Sequence, residues 1–405
     1  MAVPLPFDGL KVVDISWVLV GPTTVKYLAD HGATTVRVEA ATPLDILRTA
    51  GPFKDGVPGP DRTHFFGDIN ASKLGLCVDL KNPAGLDIAK RLISWADVFI
   101  ESFTPGTVDS LGIGYETARQ LNPSIVMAST CLMGQTGPAA AFSGYGFHAA
   151  SIAGFYETTG WPDLAPDGPW TAYTDAVSPR ILAATIMAAL DHRRRTGQGQ
   201  HIDASQLEMS LHFLSPQIMD HGANGRGVTR NGNRSRYFAP QGAYPCAGDD
   251  RWCTIAVETE EQWEALQRAM GGPAWAQDEG LGSMQGRLDN HDTIDQHIGE
   301  WTKDQEPKAL MQLLLSHGVP AGVVQRSSDL ETDPQLAHRN YFRPLEHQEM
   351  GTVPYAGHQF RIRGYDSGPR FPAPVLGQHN EQVLREILGM TDDEVAEAVI
   401  AEAIL

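Results

Sequence analysis

The chain has 405 residues, of which 42% are hydrophobic and 20% charged, with a formal net charge of -18. That length accommodates two domains with a sizeable core, and the composition excludes a disordered chain. The acidic balance opposes a nucleic-acid partner, whose phosphates such a surface repels. Cys77, Cys131, Cys246 and Cys253 form no C-x-x-C pair, so neither a zinc ribbon nor a disulfide scaffold is expected, and the pattern suits a reducing cytosol. MAVPLPFDGLKVV lacks the basic and long apolar regions of a secretory signal, and no apolar run approaches the ~18 residues of a membrane helix. The reading is a cytoplasmic protein with no membrane partner.

Strand and helix signals alternate along the first half. LKVVDI (Leu10 to Ile15) reads as a buried strand, and Gly21-Pro22 opens a helix that runs to about His31, with Gly32 as its C-terminal glycine. TTVRVE (Thr34 to Glu39) is a second strand. Leu76 to Leu80 is a third apolar run, and Asn82-Pro83 caps a helix carrying Leu86, Ala89 and Ile93 on one face. Strands follow at Val98 to Phe103 and Ile125 to Cys131. Such alternation predicts βαβ units around a parallel sheet, hence an α/β, Rossmann-like build.

An apolar helix is expected over Ser178 to Asp191, then a basic turn, a short strand at His201 to Ala204 and a cap at Ser205. The organisation expected is an N-terminal large domain over 1–221, a Gly/Arg/Asn-rich linker over 222–236, a smaller α+β domain over 237–325 and a C-terminal segment over 326–405. The small domain is expected to hold a strand at Trp252 to Val257 and helices at Gln262 to Met270 and Thr302 to His317. Thr391-Asp-Asp-Glu394 forms a capping-box pattern before a final helix.

Neither G-x-G-x-x-G at the first βα turn nor G-x-x-x-x-G-K-[ST] is present, so no NAD or nucleoside-triphosphate site of the usual kind is expected. VLVGP (Val18 to Pro22) occupies that turn, where a glycine lets a ligand approach the backbone and a helix start offers free N–H groups. Asp175, in TAYTDAVSP, stands just before a helix, where an aspartate ordinarily caps. A desolvated carboxylate there could instead attack a thioester, a reaction that needs no metal. H-E-x-x-H and clustered Cys/His ligands are absent from the sequence, and the set His291, Asp292, Asp295 and His297 reads as a solvated helix face.

Taken in order, GLKVVDISWVLVGPTTVKYLADHGATTVRVE, ASKLGLCVDLKNPAG, ADVFIESFTPGTVDSLG, RRRTGQGQHIDASQLE, APQGAYPC, HGVPAGVV, DPQLAHRNYF and LGQHNEQVLREILG resemble the CaiB/BaiF family, the class III CoA-transferases together with the α-methylacyl-CoA racemases. The resemblance implies an interlocked homodimer. In it a Rossmann-like large domain, with its parallel sheet, is built from both chain ends, and the active site involves the partner's small domain. It implies that Asp175 is the covalent nucleophile, that coenzyme A is carried as an acyl-CoA substrate, and that a carboxylic acid is the acceptor. Position by position it assigns Val20 and Gly21 to the pantetheine and thioester, Val78 and Lys81 to the adenosine 3′-phosphate region, and Ser102, Phe103, Thr107 and Leu111 to the nucleotide.

Departures from the formyl-CoA transferase pattern narrow the expectation. Leu19 replaces a glutamine, Ala40 and Ser110 replace arginines, and no counterpart of the small domain's glycine-rich loop is found near Gly248 to Arg251. An apolar Leu19 beside the thioester disfavours oxalate and favours a larger, more hydrophobic acid. Racemisation of a 2-methylacyl-CoA is the alternative, but Tyr145 stands where racemases carry a histidine, and a phenol is a poor base at neutral pH. His148, three residues on, could substitute for it, but the expected reading is a packed histidine. A second alternative is a CoA-binding subunit of a heteromeric transferase.

Overall fold

A computed structural model describes residues 4–169 and 172–404. The chain divides into two compact units, one of Met1–Tyr156, Gly168–Gly227 and Pro334–Leu405, the other of Glu157–Asp167 and Val228–Asp333.

The first unit is organised around six parallel strands: β1 (Lys11–Asp14), β2 (Thr34–Glu39), β3 (Leu74–Cys77), β4 (Val98–Glu101), β5 (Val126–Cys131) and β6 (Gln200–Ser205). Their order is β3-β2-β1-β4-β5-β6. Each strand is short and almost wholly buried apart from β6, as a sheet covered by helices requires. Val13, Val36, Leu76, Ile88, Leu92 and Phe99 form the centre of one core layer. Val12, Val25, Leu28, Ile100, Leu182 and Ile186 form the centre of a second. The strand order reverses direction between β1 and β4, and the chains leaving the carboxyl ends of these two strands border a crevice there.

One expectation is corrected. The large unit draws on both chain ends, but its parallel sheet does not: all six strands lie between Lys11 and Ser205. The C-terminal strands β10 (Phe342–His347) and β11 (Gly351–Ala356) pair only with each other, antiparallel. The final helix, Asp392–Ile400, has the expected capping box, with the Glu394 N–H donating to Thr391 Oγ1 at 3.3 Å and the Thr391 N–H to Glu394 Oε2 at 2.8 Å. Beyond it the Asp79 N–H donates to the Ala403 carbonyl and Asn82 Nδ2 to the Ala401 carbonyl, tying the chain's last turn to the end of β3.

The helix expected at Ser178 begins earlier, at Tyr173, and runs to Thr196. Pro179 therefore lies inside it rather than at its first turn. Asp175 sits in the first turn, not before it. A proline cannot donate to the carbonyl four residues back, which here is that of Asp175. Residues 222–224, expected in the linker, complete the helix Ser215–Asn224, which ends on Gly225 in the left-handed region.

The second unit holds an antiparallel sheet of β7 (Gln241–Cys246), β8 (Arg251–Ala256) and β9 (Ala321–Val323). Helices carrying Trp263, Leu266, Ile294, Ile298, Leu310 and Leu314 cover it. The helix expected over Thr302 to His317 begins later, at Pro307, and runs to Ser316, while a separate helix, His291–Thr302, ends where it was expected to start. Glu306 caps the later helix, and Pro307 takes its first turn. Asp292 and Asp295 both pair with Arg234, and His297 stacks on Trp275 at 4.5 Å.

Candidate active site

The loop 15–19 joins β1 to the helix Val20–Asp30. Val18 has φ of +63°, a strained conformation for a β-branched residue, so neighbours must hold it. Asp45 accepts the Val18 N–H at 3.2 Å, and Ser102, just past β4, accepts the Trp17 N–H at 2.7 Å. Ser102 thus braces the loop from the adjoining strand. Gly21 has its own local reason: an added Cβ would lie 2.2 Å from the Ser16 hydroxyl.

Beneath this loop lies a buried ion network. Asp14, at the end of β1, binds Lys73 Nζ at 2.9 Å and Arg37 at 3.3 Å, and all three side chains are excluded from solvent. Lys73 spends its other two protons on the Pro22 carbonyl at 2.8 Å and on Asn70 Oδ1 at 2.9 Å. Arg37 reaches on to Asp45 at 2.7 Å. Burial opposes ionisation of Asp14, yet Lys73 and Arg37 hold its carboxyl below the usual range. Burial pushes Lys73 down to about 8 against the pull of Asp14, so both remain charged at neutral pH.

Asp175 opens into a small cup of about 130 Å³ bounded by Trp17, Val18, Leu19, Val20, Ser102, Leu132, Tyr145 and Gln206. A cup of this size takes the reacting end of a ligand rather than a whole cofactor-sized molecule. Among the described residues no lysine, arginine or histidine lines it. Burial raises the Asp175 carboxyl to about 6, with the Gln206 amide pulling in the opposite direction. The carboxylate is therefore desolvated but ionised at neutral pH, the condition for a carboxylate nucleophile.

Gly146 is the floor of this arrangement. A Cβ built on it would lie 2.5 Å from Asp175 Cγ and from both carboxylate oxygens. The Gly146→Ala enzyme must therefore move the carboxyl. A displacement of the order of 1 Å costs about 100-fold, so steady-state kinetics should show kcat falling by about that factor with an unchanged melting temperature. A kcat near that of the parent enzyme would mean that the carboxyl position is not critical.

Of the residues proposed from sequence, Asp175, Leu19, Val20, Tyr145 and Ser102 share the cup, and Gly21 adjoins it. Phe103 packs its ring near Trp17, at 6.2 Å between centroids, and leans on the core with Leu111. Thr107 and Leu111 lie at the short helix Thr107–Ser110 that follows β4. Val78 and Lys81 lie past the end of β3, two strands from β1, and neither lines the cup. Val78 is core, only 1% exposed, and Lys81 is exposed. His148 accepts the Tyr145 N–H at 3.1 Å through Nδ1 and does not line the cup. Gln206, Gly146, Thr174 and Lys73 carry the site's geometry without having been singled out from sequence. Gln206 follows the cap Ser205, and no short motif marks it.

Comparison with known proteins places the chain in a family. The family model for CoA-transferase family III matches residues 7–380. A probable CoA-transferase of Mycobacterium tuberculosis is 32% identical over 99% of this chain and 50% of its own length, so the chain spans half of that relative. A succinate–glutarate CoA-transferase of Agrobacterium fabrum is 32% identical over 94% of this chain and 96% of its own. The crystal structure of a CaiB/BaiF family protein from Brucella suis is 30% identical, covers 95% of this chain and 100% of its own, and superposes with a TM-score of 0.87. The chain belongs to CoA-transferase family III and is an enzyme of that class, acting on CoA thioesters.

Proposed function

We propose that this enzyme moves CoA from an acyl-CoA to a carboxylic acid through a covalent aspartyl-CoA intermediate on Asp175. The observation that carries this reading is the desolvated, ionised Asp175 carboxylate facing a cup just large enough for a thioester. The helix's first residues, Val20 and Gly21, support the pantetheine end. Ser102, Phe103, Thr107 and Leu111 after β4 support the nucleotide, with Val78 and Lys81 beyond it near the 3′-phosphate. Val78 would contribute through its main chain, since its side chain is core.

The acceptor is an acid with an apolar body. The cup presents Leu19, Val20, Trp17 and Leu132 and no cation, so a second carboxylate would be buried there unpaired. This departs from the relative named for succinate and glutarate. The assembly is a homodimer, consistent with the apolar side chains of Phe213, Ile218 and Met219 standing exposed. No helix among the described residues is long and apolar enough to cross a membrane.

The test is mass spectrometry of the enzyme incubated with succinyl-CoA or acetyl-CoA and then quenched with hydroxylamine. The expected result is a hydroxamate confined to the peptide that contains Asp175. An unmodified Asp175, together with solvent deuterium entering the α-carbon of a 2-methylacyl-CoA, would instead establish the racemase.

A further inference from the structure

The side chain that holds the Asp175 carboxyl is Gln206, whose Nε2 donates to Asp175 Oδ1. Gln206 is 4% exposed, at the start of the helix Gln206–Leu211, directly after β6. Its second amide hydrogen goes to Thr174 Oγ1 at 2.8 Å, and that hydroxyl spends its own proton on the Gly146 carbonyl at 3.0 Å. Both neighbours are therefore acceptors, which orients the amide with its NH2 end toward the carboxylate. A buried, doubly anchored donor aimed at one oxygen of a nucleophile is more than a structural tether.

We propose that Gln206 is a catalytic oxyanion donor for the enzyme's own acyl carbonyl, the one formed when Asp175 is acylated. The inference rests on Asp175 being the nucleophile. Oδ1, held by Gln206, remains the carbonyl oxygen, and Oδ2 is the attacking atom.

The reaction then has four additions. Oδ2 adds to the donor's thioester carbon, the C–S bond breaks and CoA leaves as thiolate with the electron pair, giving a mixed anhydride. The thiolate next adds to the Asp175 carbonyl carbon; the charge resides on Oδ1 until the C–O bond breaks and the donor acid leaves as carboxylate. The product is the aspartyl-CoA thioester. An acceptor carboxylate adds to that same carbon, and the thiolate is expelled from it. Finally the thiolate adds to the acceptor's carbonyl in the second anhydride and Asp175 departs as carboxylate. No net proton is taken up. Negative charge builds on Oδ1 in the second and third steps alone, where a fixed donor in a desolvated site is most effective. The same contact opposes the effect of burial on Asp175 and helps to keep it ionised between turnovers.

The experiment is rapid-quench intact-protein mass spectrometry with an acyl-CoA donor and no acceptor, which reads the rate at which the CoA adduct forms. Gln206→Met keeps the side chain's length without the donor. It should slow adduct formation by about 100- to 1000-fold, the usual loss for one oxyanion donor, with KM for the acyl-CoA little changed. Gln206→Glu places a like charge beside Asp175, so its adduct rate should rise with falling pH as the introduced carboxyl takes up a proton, opposite to the parent enzyme. A merely structural residue would not reverse the pH dependence. Adduct formation at the parent rate in folded Gln206→Met, or a pH dependence of folded Gln206→Glu that runs in the parent's direction, overturns the proposal. Adduct formation in Asp175→Ala overturns the nucleophile reading beneath it, whatever Gln206 does.

Discussion

Replacing Asp175 with alanine is expected to lower kcat by at least about 10,000-fold, the scale of loss when a covalent nucleophile is removed. The fold should survive. A carboxyl whose folded value is raised to about 6, above the ordinary 3.8, is held against burial and destabilises the native state at pH above both values, so its removal does not lower the melting temperature at neutral pH. Loss of transfer with an intact melt therefore isolates chemistry from folding. The same shift sets the pH response of the parent enzyme. Only ionised Asp175 attacks, so kcat/KM should rise as pH passes through about 6 and level above it. Substantial transfer by Asp175→Ala, or a rate that falls across that range as pH rises, would remove Asp175 from the mechanism.

Lys73→Met should cost about 3–5 kcal/mol of stability, the range found when one partner of a buried pair is removed. Lys73 is fully buried, and its three protons are shared among Asp14, the Pro22 carbonyl and Asn70. Methionine matches its length but leaves those three acceptors without their donor. Urea unfolding of Lys73→Met, Asp14→Asn and the double variant gives the coupling directly. The double variant should lose less than the sum of the singles, because neutralising Asp14 removes the stranded charge. Additive losses, or a cost below about 1 kcal/mol for Lys73→Met, would show that the pair is not a unit. Lys73→Arg should not rescue, since a planar guanidinium cannot direct three donors from one compact point.

Much of the framework was legible in the sequence. LKVVDI, TTVRVE and the Asn82-Pro83 helix start carry their own periodicity and caps, and local rules suffice for them. The start of the Tyr173 helix was not legible, because Pro179 reads as a first-turn proline when only neighbours in sequence are considered. Packing of Leu182 and Ile186 on the sheet sustains the helix around it. Asp175 could be assigned a role only through resemblance, since a first-turn aspartate is locally indistinguishable from a cap. Lys73, in ASKLG, has the look of a solvated lysine; its burial depends on Asp14, 59 residues away. Gln206 depends on the end of β6 arriving beside residue 146, a juxtaposition created by sheet order and written in no short motif.

The division of the chain also governs the order in which it can fold. The second unit, apart from residues 157–167, is one continuous stretch ending at Asp333, whereas the first waits for everything after Pro334. During synthesis the edge strand β3 and the loop after it emerge hundreds of residues before the partners at Ala401 and Ala403. A nascent chain thus carries a finished small unit and an open sheet edge at the same time. That interval is when an unpaired strand is most prone to join a neighbour, so the burden of folding assistance falls on the larger unit, late in translation.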